Sequence, residues 1–275
     1  MSFKNKFEVL CVTMHQKDFS KINEMNIHSN VVFANQADRT DYDETEIEGK
    51  CVRMITTATR GVGINRNLTL TYANADICLF ADDDVTYCDN MEEIVLAEFS
   101  AHPDADVIIF HVDAGEKRKQ ISYPKTKKCR GFFRMPWGAV RIAFRLNSVK
   151  KANLWFTTLF GGGCIFPSGE DSIWLRDAKR KGLTFYVSKE TIGKTDVEDS
   201  TWFTGYDEKF FFGKGASICA LYNRWSGLLS LYYLFRYRKA GELSLSRKMK
   251  WIKIGRKCYA NMVSFDEYKK THKID

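Results

Sequence analysis

Ala75-Asp-Ile-Cys-Leu-Phe-Ala-Asp-Asp-Asp-Val85 carries an apolar run straight into three consecutive aspartates. The run is too short for a helix and reads as a buried strand. Three adjacent carboxylates at its end repel one another unless a cation or hydroxyl donors sit among them. In extended chain successive side chains alternate, so Asp82 and Asp84 are expected on one side and Asp83 on the other. A hard divalent cation, Mg²⁺ or Mn²⁺, meets that need, because it shares oxygen ligands between one or two carboxylates and a substrate's phosphates. An acidic turn closing an ordinary strand is the alternative.

Outward from this stretch, similar apolar runs recur at Phe7 to Met14, Asn30 to Ala34, Cys51 to Thr56 and Val107 to His111. Helical patterns lie between them at Lys17 to Met25, Ile64 to Ala73 and Met91 to Ala101, the last stopped by Pro103. Strand and helix in alternation predict an α/β fold, a mostly parallel twisted sheet flanked by helices, with ligands at the carboxyl ends of the strands. The pattern weakens between Gly115 and Pro136, which suggests subdomains over residues 1–114 and 115–215 and a helical basic extension over 216–275. Phe132 to Arg145 mixes apolar residues with Arg134, Arg141 and Arg145. Leu221, Trp225, Leu228, Leu229, Tyr232 and Arg236 fall at helical spacing, predicting one helix over 216–237. Core packing is the preferred reading of its aromatic stripe over membrane contact, because Leu231, Tyr233 and Leu234 leave no polar opposite face.

Two further segments bear on chemistry. Arg60-Gly-Val-Gly-Ile-Asn-Arg-Asn-Leu68 is a glycine turn opening a helix; it lacks the third glycine of a dinucleotide fingerprint. Helix amides with Arg60 and Arg66 would favour a diphosphate, with an ordinary helix start as the alternative. Ser168-Gly-Glu-Asp-Ser-Ile-Trp-Leu-Arg-Asp-Ala-Lys-Arg-Lys-Gly182 reads as a helix with a capping-box-like start at Ser168 and Asp171, acids in its first turn and bases in its last. Local physics explains both acids, yet the preceding Phe160-Gly-Gly-Gly-Cys164 points to a close ligand, and a carboxylate facing a pocket there can serve as a general base.

Composition narrows the class. The chain has 275 residues, 44% of them hydrophobic and 28% charged, with 4 Pro, which excludes collagen and disorder. No apolar run approaches the roughly 18 residues of a membrane span, and the first residues lack a secretory leader, so a cytoplasmic chain with its eight cysteines reduced is expected. Cys11 and Cys78 sit in apolar runs and read as small core residues. The net charge of +8 is local: residues 236–275 hold 12 Lys and Arg against 4 Asp and Glu, while 1–235 balance 30 against 30. A basic end on a neutral body suggests contact with an anionic surface.

With Arg60-Gly-Val-Gly-Ile-Asn-Arg-Asn67, Phe80-Ala-Asp-Asp-Asp-Val85 as a DxD-type motif and Gly169-Glu-Asp171 opening a helix, residues 7 to 215 resemble the nucleotide-sugar glycosyltransferases of the family 2 type, which have the glycosyltransferase A fold. The resemblance implies inverting transfer from a UDP-linked donor to a saccharide hydroxyl, in capsular, exopolysaccharide or lipopolysaccharide assembly. It implies Asp84 as the ligand of Mn²⁺ or Mg²⁺ with Asp82 near the metal or ribose, and Asp171 as the catalytic base. Thr13, His15, Asn35, Gln36, Arg60, Gly61, Arg66, Asp82 and Asp83 would face the donor. Glu170, Gly162 and Gly163 would face the acceptor, Gly161 adding room beside them. Two departures stand out. Asn35 and Gln36 replace an acidic residue common in relatives, and no histidine lies between His111 and His272 to complete a metal site. Asp196, Glu198 or Asp199 could replace it, or phosphate and water oxygens could fill the shell. The implied acceptor is carried on a lipid diphosphate, with the basic tail on the inner face of the cell membrane and no nucleic acid as partner. Two rivals remain: a sugar nucleotidyltransferase, whose N-terminal glycine-rich basic loop is missing here, and a nucleic-acid-binding module using the tail.

Overall fold

A computed structural model describes residues 6–115, 123–131, 138–195 and 205–273. The described residues within 1–60, 64–155 and 174–200 pack as one compact unit, and those within 61–63, 156–173 and 201–275 as another.

The first unit is built on a ten-stranded sheet. Its strands are β1 (Phe7–Met14), β2 (Asn30–Gln36), β3 (Asp41–Ile47), β4 (Lys50–Thr57), β5 (Ile77–Asp82), β6 (Val85–Tyr87), β7 (Val107–Asp113), β8 (Lys127–Lys128), β9 (Ile142–Arg145) and β10 (Phe185–Thr195). The order is β3-β4-β2-β1-β5-β9-β7-β10-β6, with β8 beside β10. Strands β4, β2, β1 and β5 run parallel to one another, as do β7 and β10, whereas β3, β9, β6 and β8 pair antiparallel. Helices α1 (Lys21–Glu24), α2 (Val62–Tyr72), α3 (Met91–Ala101), α4 (Leu146–Lys151) and α5 (Glu170–Arg180) join them, α2 and α5 each contributing residues to both units.

The five expected strands form, and β2, β4, β5 and β7 run one or two residues further than their apolar runs. Central strands covered on both faces need continuous apolar sequence rather than alternation. Accordingly Val9, Leu10, Val31, Val32, Leu79, Phe80, Ile108 and Ile109 are all fully buried. On one face Phe80 meets Phe144 at 4.6 Å and Trp174 edge-on at 5.5 Å, so the apolar side of α5 closes the core there. Cys11 and Cys78 are buried, all eight cysteines are free, and burial pushes these two thiols well above the usual range.

One expectation fails for a local reason, and one strand forms that no apolar run predicts. The helix expected over 17–25 contracts to α1, because the Asp18 carboxylate takes the Ser20 amide at 2.9 Å and Asn26 turns left-handed at φ 53°. Strand β3 has no apolar signal, since Asp-Tyr-Asp-Glu-Thr-Glu is exposed throughout; it is held to β4 by a hairpin whose turn residues Glu48 and Gly49 have φ of 51° and 74°.

The second unit is helical: α6 (Glu208–Tyr222), α7 (Ser226–Arg236), α8 (Leu245–Asn261) and α9 (Phe265–His272) join the loop that leads into α5. Helices α6 and α8 touch backbone to backbone. A Cβ on Gly215 would stand 2.1 Å from the Ile252 carbonyl oxygen, and one on Gly255 1.9 Å from that of Phe212. Phe160, Phe166, Phe212 and Tyr259 form a continuous ring cluster beside that crossing.

The single helix expected over 216–237 is two helices. Asn223, at φ 36°, ends α6, and a 3-10 turn over Asn223–Trp225 redirects the chain into α7. The core reading of the aromatic stripe is also corrected: Ser226, Ser230 and Leu234 face inward, while Trp225, Leu228, Leu231, Tyr232 and Phe235 lie exposed. Small inner residues let α7 sit close to its neighbours, which leaves the large apolar ones outward.

Candidate active site

Strand register places the donor-side candidates. At the carboxyl ends of the parallel strands Val12 stands opposite Asp82, Thr13 opposite Asn35, and Asn35 opposite Thr56. Ligands of such sheets bind at this edge, where helices and loops leave a crevice. Strand β5 ends at Asp82, and the chain turns at Asp83 and Asp84 before β6. The expected alternation of the three aspartates is thereby corrected, because a turn breaks the two-residue period.

Each aspartate meets a different partner. Arg66 of α2, nearly buried, donates from Nη2 to Asp82 Oδ1 at 2.8 Å. Thr13 Oγ1 donates to Asp83 Oδ2 at 2.5 Å. Asp84 is reached by the hydroxyl of Thr195, which the pairing of Thr195 with Val85 brings alongside. Partial burial, then the charges of Asp82 and Asp83, push the Asp84 carboxyl up to about 6; its own backbone amide and the Thr195 hydroxyl pull weakly the other way. Asp84 is nonetheless exposed as a residue, so solvent screens much of this crowding.

The remaining donor-side candidates divide. Asn35 is completely buried: its Oδ1 accepts from the Gln16 amide at 3.0 Å, and its Nδ2 donates to Gln16 O and Thr56 Oγ1. It shapes the loop after β1. Gln36 is buried beside it, and its Nε2 has no hydrogen-bond partner among the described residues. His15 is exposed, at φ 58°, and its amide donates to Gln36 O at 2.9 Å. Arg60 pairs with Asp38, whose side chain is 87% exposed, away from the aspartate turn in its bonding. Gly61 takes φ 116°, and the following Val62 amide donates to Gly162 O at 3.0 Å. A Cβ on Gly63 would stand 2.2 Å from Thr157 O, so these glycines serve a close loop-to-loop crossing.

The acceptor-side candidates lie in the helical unit. Gly161 takes φ 106° and its amide bonds to Phe166 O, while a Cβ there would stand 3.0 Å from the Glu170 carboxyl. Glu170 Oε2 accepts from the Gly169 amide at 3.1 Å. Asp171 Oδ1 accepts from the Ser172 amide at 2.6 Å and the Ser172 hydroxyl at 3.2 Å. The acids thus cap α5 themselves, replacing the expected Ser168–Asp171 box. Asp171 is half-buried, and its Oδ2 has no hydrogen bond among the described residues. Gly163 is exposed at φ 75°.

Two functional-site neighbours escaped the sequence reading. Thr195 ends β10 and carries no motif of its own. Lys214 of α6 lies over the rings of Phe210, Tyr233 and Tyr237 at 5.5 to 5.7 Å; burial lowers its ammonium pKa and the Asp171 carboxylate acts against that. Its signal is spatial, since it lies 43 positions after Asp171 in the chain.

Among the described residues no cluster of three or more His, Cys, Asp and Glu is arranged to hold a metal ion. Asp196, Glu198 and Asp199 lie outside the described residues, as do Phe132 and Arg134. The donor set nevertheless suits a hard cation. Among the described residues Asp84 pairs with no basic side chain, whereas Asp82 already answers to Arg66. No helix among the described residues is long and apolar enough to cross a membrane.

A large mostly parallel sheet flanked by helices is the architecture of the glycosyltransferase A fold. The chain belongs to glycosyl transferase family 2, whose model matches residues 22–164. The fold is similar to that of S. aureus TarS 1–349 in complex with UDP-GlcNAc, at 12% identity and a TM-score of 0.60 over 94% of this chain and 93% of that one. It is also similar to the mannosyltransferase PcManGT of Pyrobaculum calidifontis in complex with GDP-Man and Mn²⁺, at 11% identity and a TM-score of 0.51 over 94% and 88%. Against a longer TarS structure, at 14% identity and a TM-score of 0.54, the chain covers 44% of that protein. No curated protein matches the chain significantly. Family membership favours sugar transfer over the nucleotidyltransferase and nucleic-acid-binding alternatives.

Proposed function

We propose that this protein transfers a sugar, with inversion, from a UDP-linked donor to a hydroxyl of a saccharide acceptor during capsular, exopolysaccharide or lipopolysaccharide assembly. The observation that carries the proposal is the aspartate turn at the sheet's carboxyl edge, where Asp82 and Asp83 are held by Arg66 and Thr13 and Asp84 has no basic partner among the described residues. In this reading the 1–114 segment binds the nucleotide sugar and 115–215 carries the acceptor side and the base. Asp84, with the second oxygen of Asp82, would hold Mn²⁺ or Mg²⁺. Such an ion supplies charge neutralisation for the departing diphosphate. Thr13, Gln36, Arg66 and Asp83 bind and orient the donor, the unpaired Nε2 of Gln36 offering it a donor group. His15, Arg60 and Gly61 complete the donor side at its exposed rim.

Asp171 accepts the proton of the attacking acceptor hydroxyl. Its Oδ1 is fixed by Ser172, so Oδ2 is the oxygen presented to the acceptor. Glu170 keeps the glycine loop in shape, and Gly162 and Gly163 leave room for the acceptor. A single displacement at the anomeric carbon needs no covalent intermediate. The base preference for UDP is part of the proposal; TarS is recorded with UDP-GlcNAc and PcManGT with GDP-Man.

The acceptor is proposed to be carried on a lipid diphosphate, with the basic residues of the C-terminal helices meeting the anionic inner face of the cell membrane. Each such residue near the surface contributes about 1 kcal/mol at low salt. Thermal stabilisation by a panel of nucleoside diphosphates, with and without Mn²⁺, tests the core of the proposal: saturating UDP with Mn²⁺ should add about 2.7 kcal/mol at a hundred times its dissociation constant. Absence of any nucleotide response would overturn it.

A further inference from the structure

We propose that the outward face of α7 is a membrane-docking surface that inserts apolar side chains among the headgroups of an anionic bilayer. The proposal deepens the peripheral attachment suggested above by assigning it to a defined helix face, and it goes beyond electrostatic contact of the basic tail.

Leu228, Leu231, Tyr232 and Phe235 recur at the i, i+3, i+4, i+7 spacing of one helix face, and Trp225 precedes them on the same side. Their exposures, 63%, 47%, 51% and 60%, with 67% for Trp225, leave a contiguous apolar strip of large side chains in water. Isolated exposed apolar residues are ordinary, but a strip of five on one face marks a contact surface. The face is also held firmly. Arg256 Nη2 donates to Ser226 Oγ at 3.2 Å at the start of α7, and Lys248 Nζ donates to the carbonyls of Tyr237 and Arg238 at 3.3 and 3.1 Å at its end. Ser226, Ser230 and Leu234 bury the inner face.

Charge decides what covers the strip. No acidic residue stands between Glu208 and Glu242, whereas Arg224, Arg236, Arg238 and Lys239 are exposed at the two ends of the strip. A second copy docked face to face would bring these cations together without acids to offset them. An anionic lipid surface offers both a negative headgroup layer for the arginines and an apolar layer beneath for Leu228 and Phe235, with Trp225 and Tyr232 suited to the boundary.

Sedimentation of the full chain with phosphatidylcholine vesicles, with and without phosphatidylglycerol, distinguishes these terms. Wild type should bind the anionic vesicles and keep part of that binding near 1 M salt, where the Debye length is roughly 3 Å. L228S/F235S should lower partitioning about tenfold at both low and high salt, and R236Q/R238Q should lower it at low salt only. Brominated lipid should quench wild-type tryptophan emission more than that of W225F. Equal sedimentation of L228S/F235S and wild type would overturn the proposal, as would complete loss of wild-type binding at high salt. A dimer in light scattering that L228S/F235S dissociates would instead assign the face to a second copy and equally overturn it. Stabilisation by UDP and Mn²⁺ is read separately: its loss would sink the sugar-transfer proposal while leaving the vesicle result standing, and both variants should retain it.

Discussion

At the carboxyl edge of the first unit's sheet, side chains are placed by strand register, and most polar groups are answered by another: Asp82 by Arg66, Asp83 by Thr13, Asn35 by Gln16 and Thr56. In the second unit the positions are set by missing side chains. Gly161, Gly215 and Gly255 let backbones approach to distances that a methyl group would forbid. The first region therefore solves a problem of charge and the second one of shape. Substitutions that alter charge should act mainly on ligand binding or chemistry in the first case, and substitutions that alter volume mainly on stability in the second.

Asp171 is the sharpest exception to that division, being a charged group proposed for chemistry inside the shape-determined unit. Asp171→Asn preserves the size of the side chain and an oxygen for the Ser172 amide, but removes the basic oxygen. The expected outcome is a fall in kcat of about a thousandfold, within the range for loss of a general base, with stabilisation by UDP and Mn²⁺ unchanged. Steady-state transfer assays beside thermal shift measure the two together. Equal damage to donor binding would place Asp171 among the donor contacts instead.

Gly255→Ala tests the shape argument directly. Its Cβ would lie 1.9 Å from the Phe212 carbonyl oxygen, a backbone atom that cannot rotate away. Helices α6 and α8 must separate, at about 3 kcal/mol, which lowers Tm by roughly 6 to 12 °C. Scanning calorimetry reads this, and a shift under 2 °C, about what 1 kcal/mol or less gives, would mean the crossing is far more yielding than described.

Asn35→Ala makes the matching cut in the charge-determined unit. It strands the Gln16 amide and removes three hydrogen bonds at a buried position, an expected cost of about 2 kcal/mol. Because Asn35 shapes the loop carrying His15, UDP affinity should weaken as well. Loss of stability without any change in UDP binding would separate the loop from the donor site.

The contrast also explains what the sequence could tell. The parallel strands were legible because covered strands demand unbroken apolar runs, such as Val107 to His111 and Ile77 to Ala81. Strand β3 was not, since an exposed edge strand rich in acid carries no burial signal. The three aspartates announced themselves as a cluster, yet their partners Thr195 and, for Asp171, Lys214 come from distant elements that only sheet register or helix packing brings near. The stripe of α7 was visible by its spacing; its orientation was not, because periodicity gives a face and not what the face meets.

The smallest predicted effect concerns Asp84 without any ligand. Its carboxyl, ordinarily near 3.8, is pushed up to about 6 by burial and by its two neighbours. Between these values the unfolded chain has released the proton while the folded chain retains it, so the folded state binds more protons and stability falls as pH rises through the window. Below it both states are protonated, and above it the cost is constant. Because Asp84 is exposed, screening holds this cost to less than about 1 kcal/mol. Asp84→Asn should therefore flatten the stability profile between about pH 4 and 6 and be slightly more stable than wild type at neutral pH. The same carboxylate must be ionised to ligate a cation, so the increment added by Mn²⁺ to UDP-bound wild type should shrink as pH falls through about 6, and Asp84→Asn should show no such increment. A wild-type stability that rises across that window, matched by the variant, would mean that the aspartate turn is not crowded, and would remove the physical reason for a cation there.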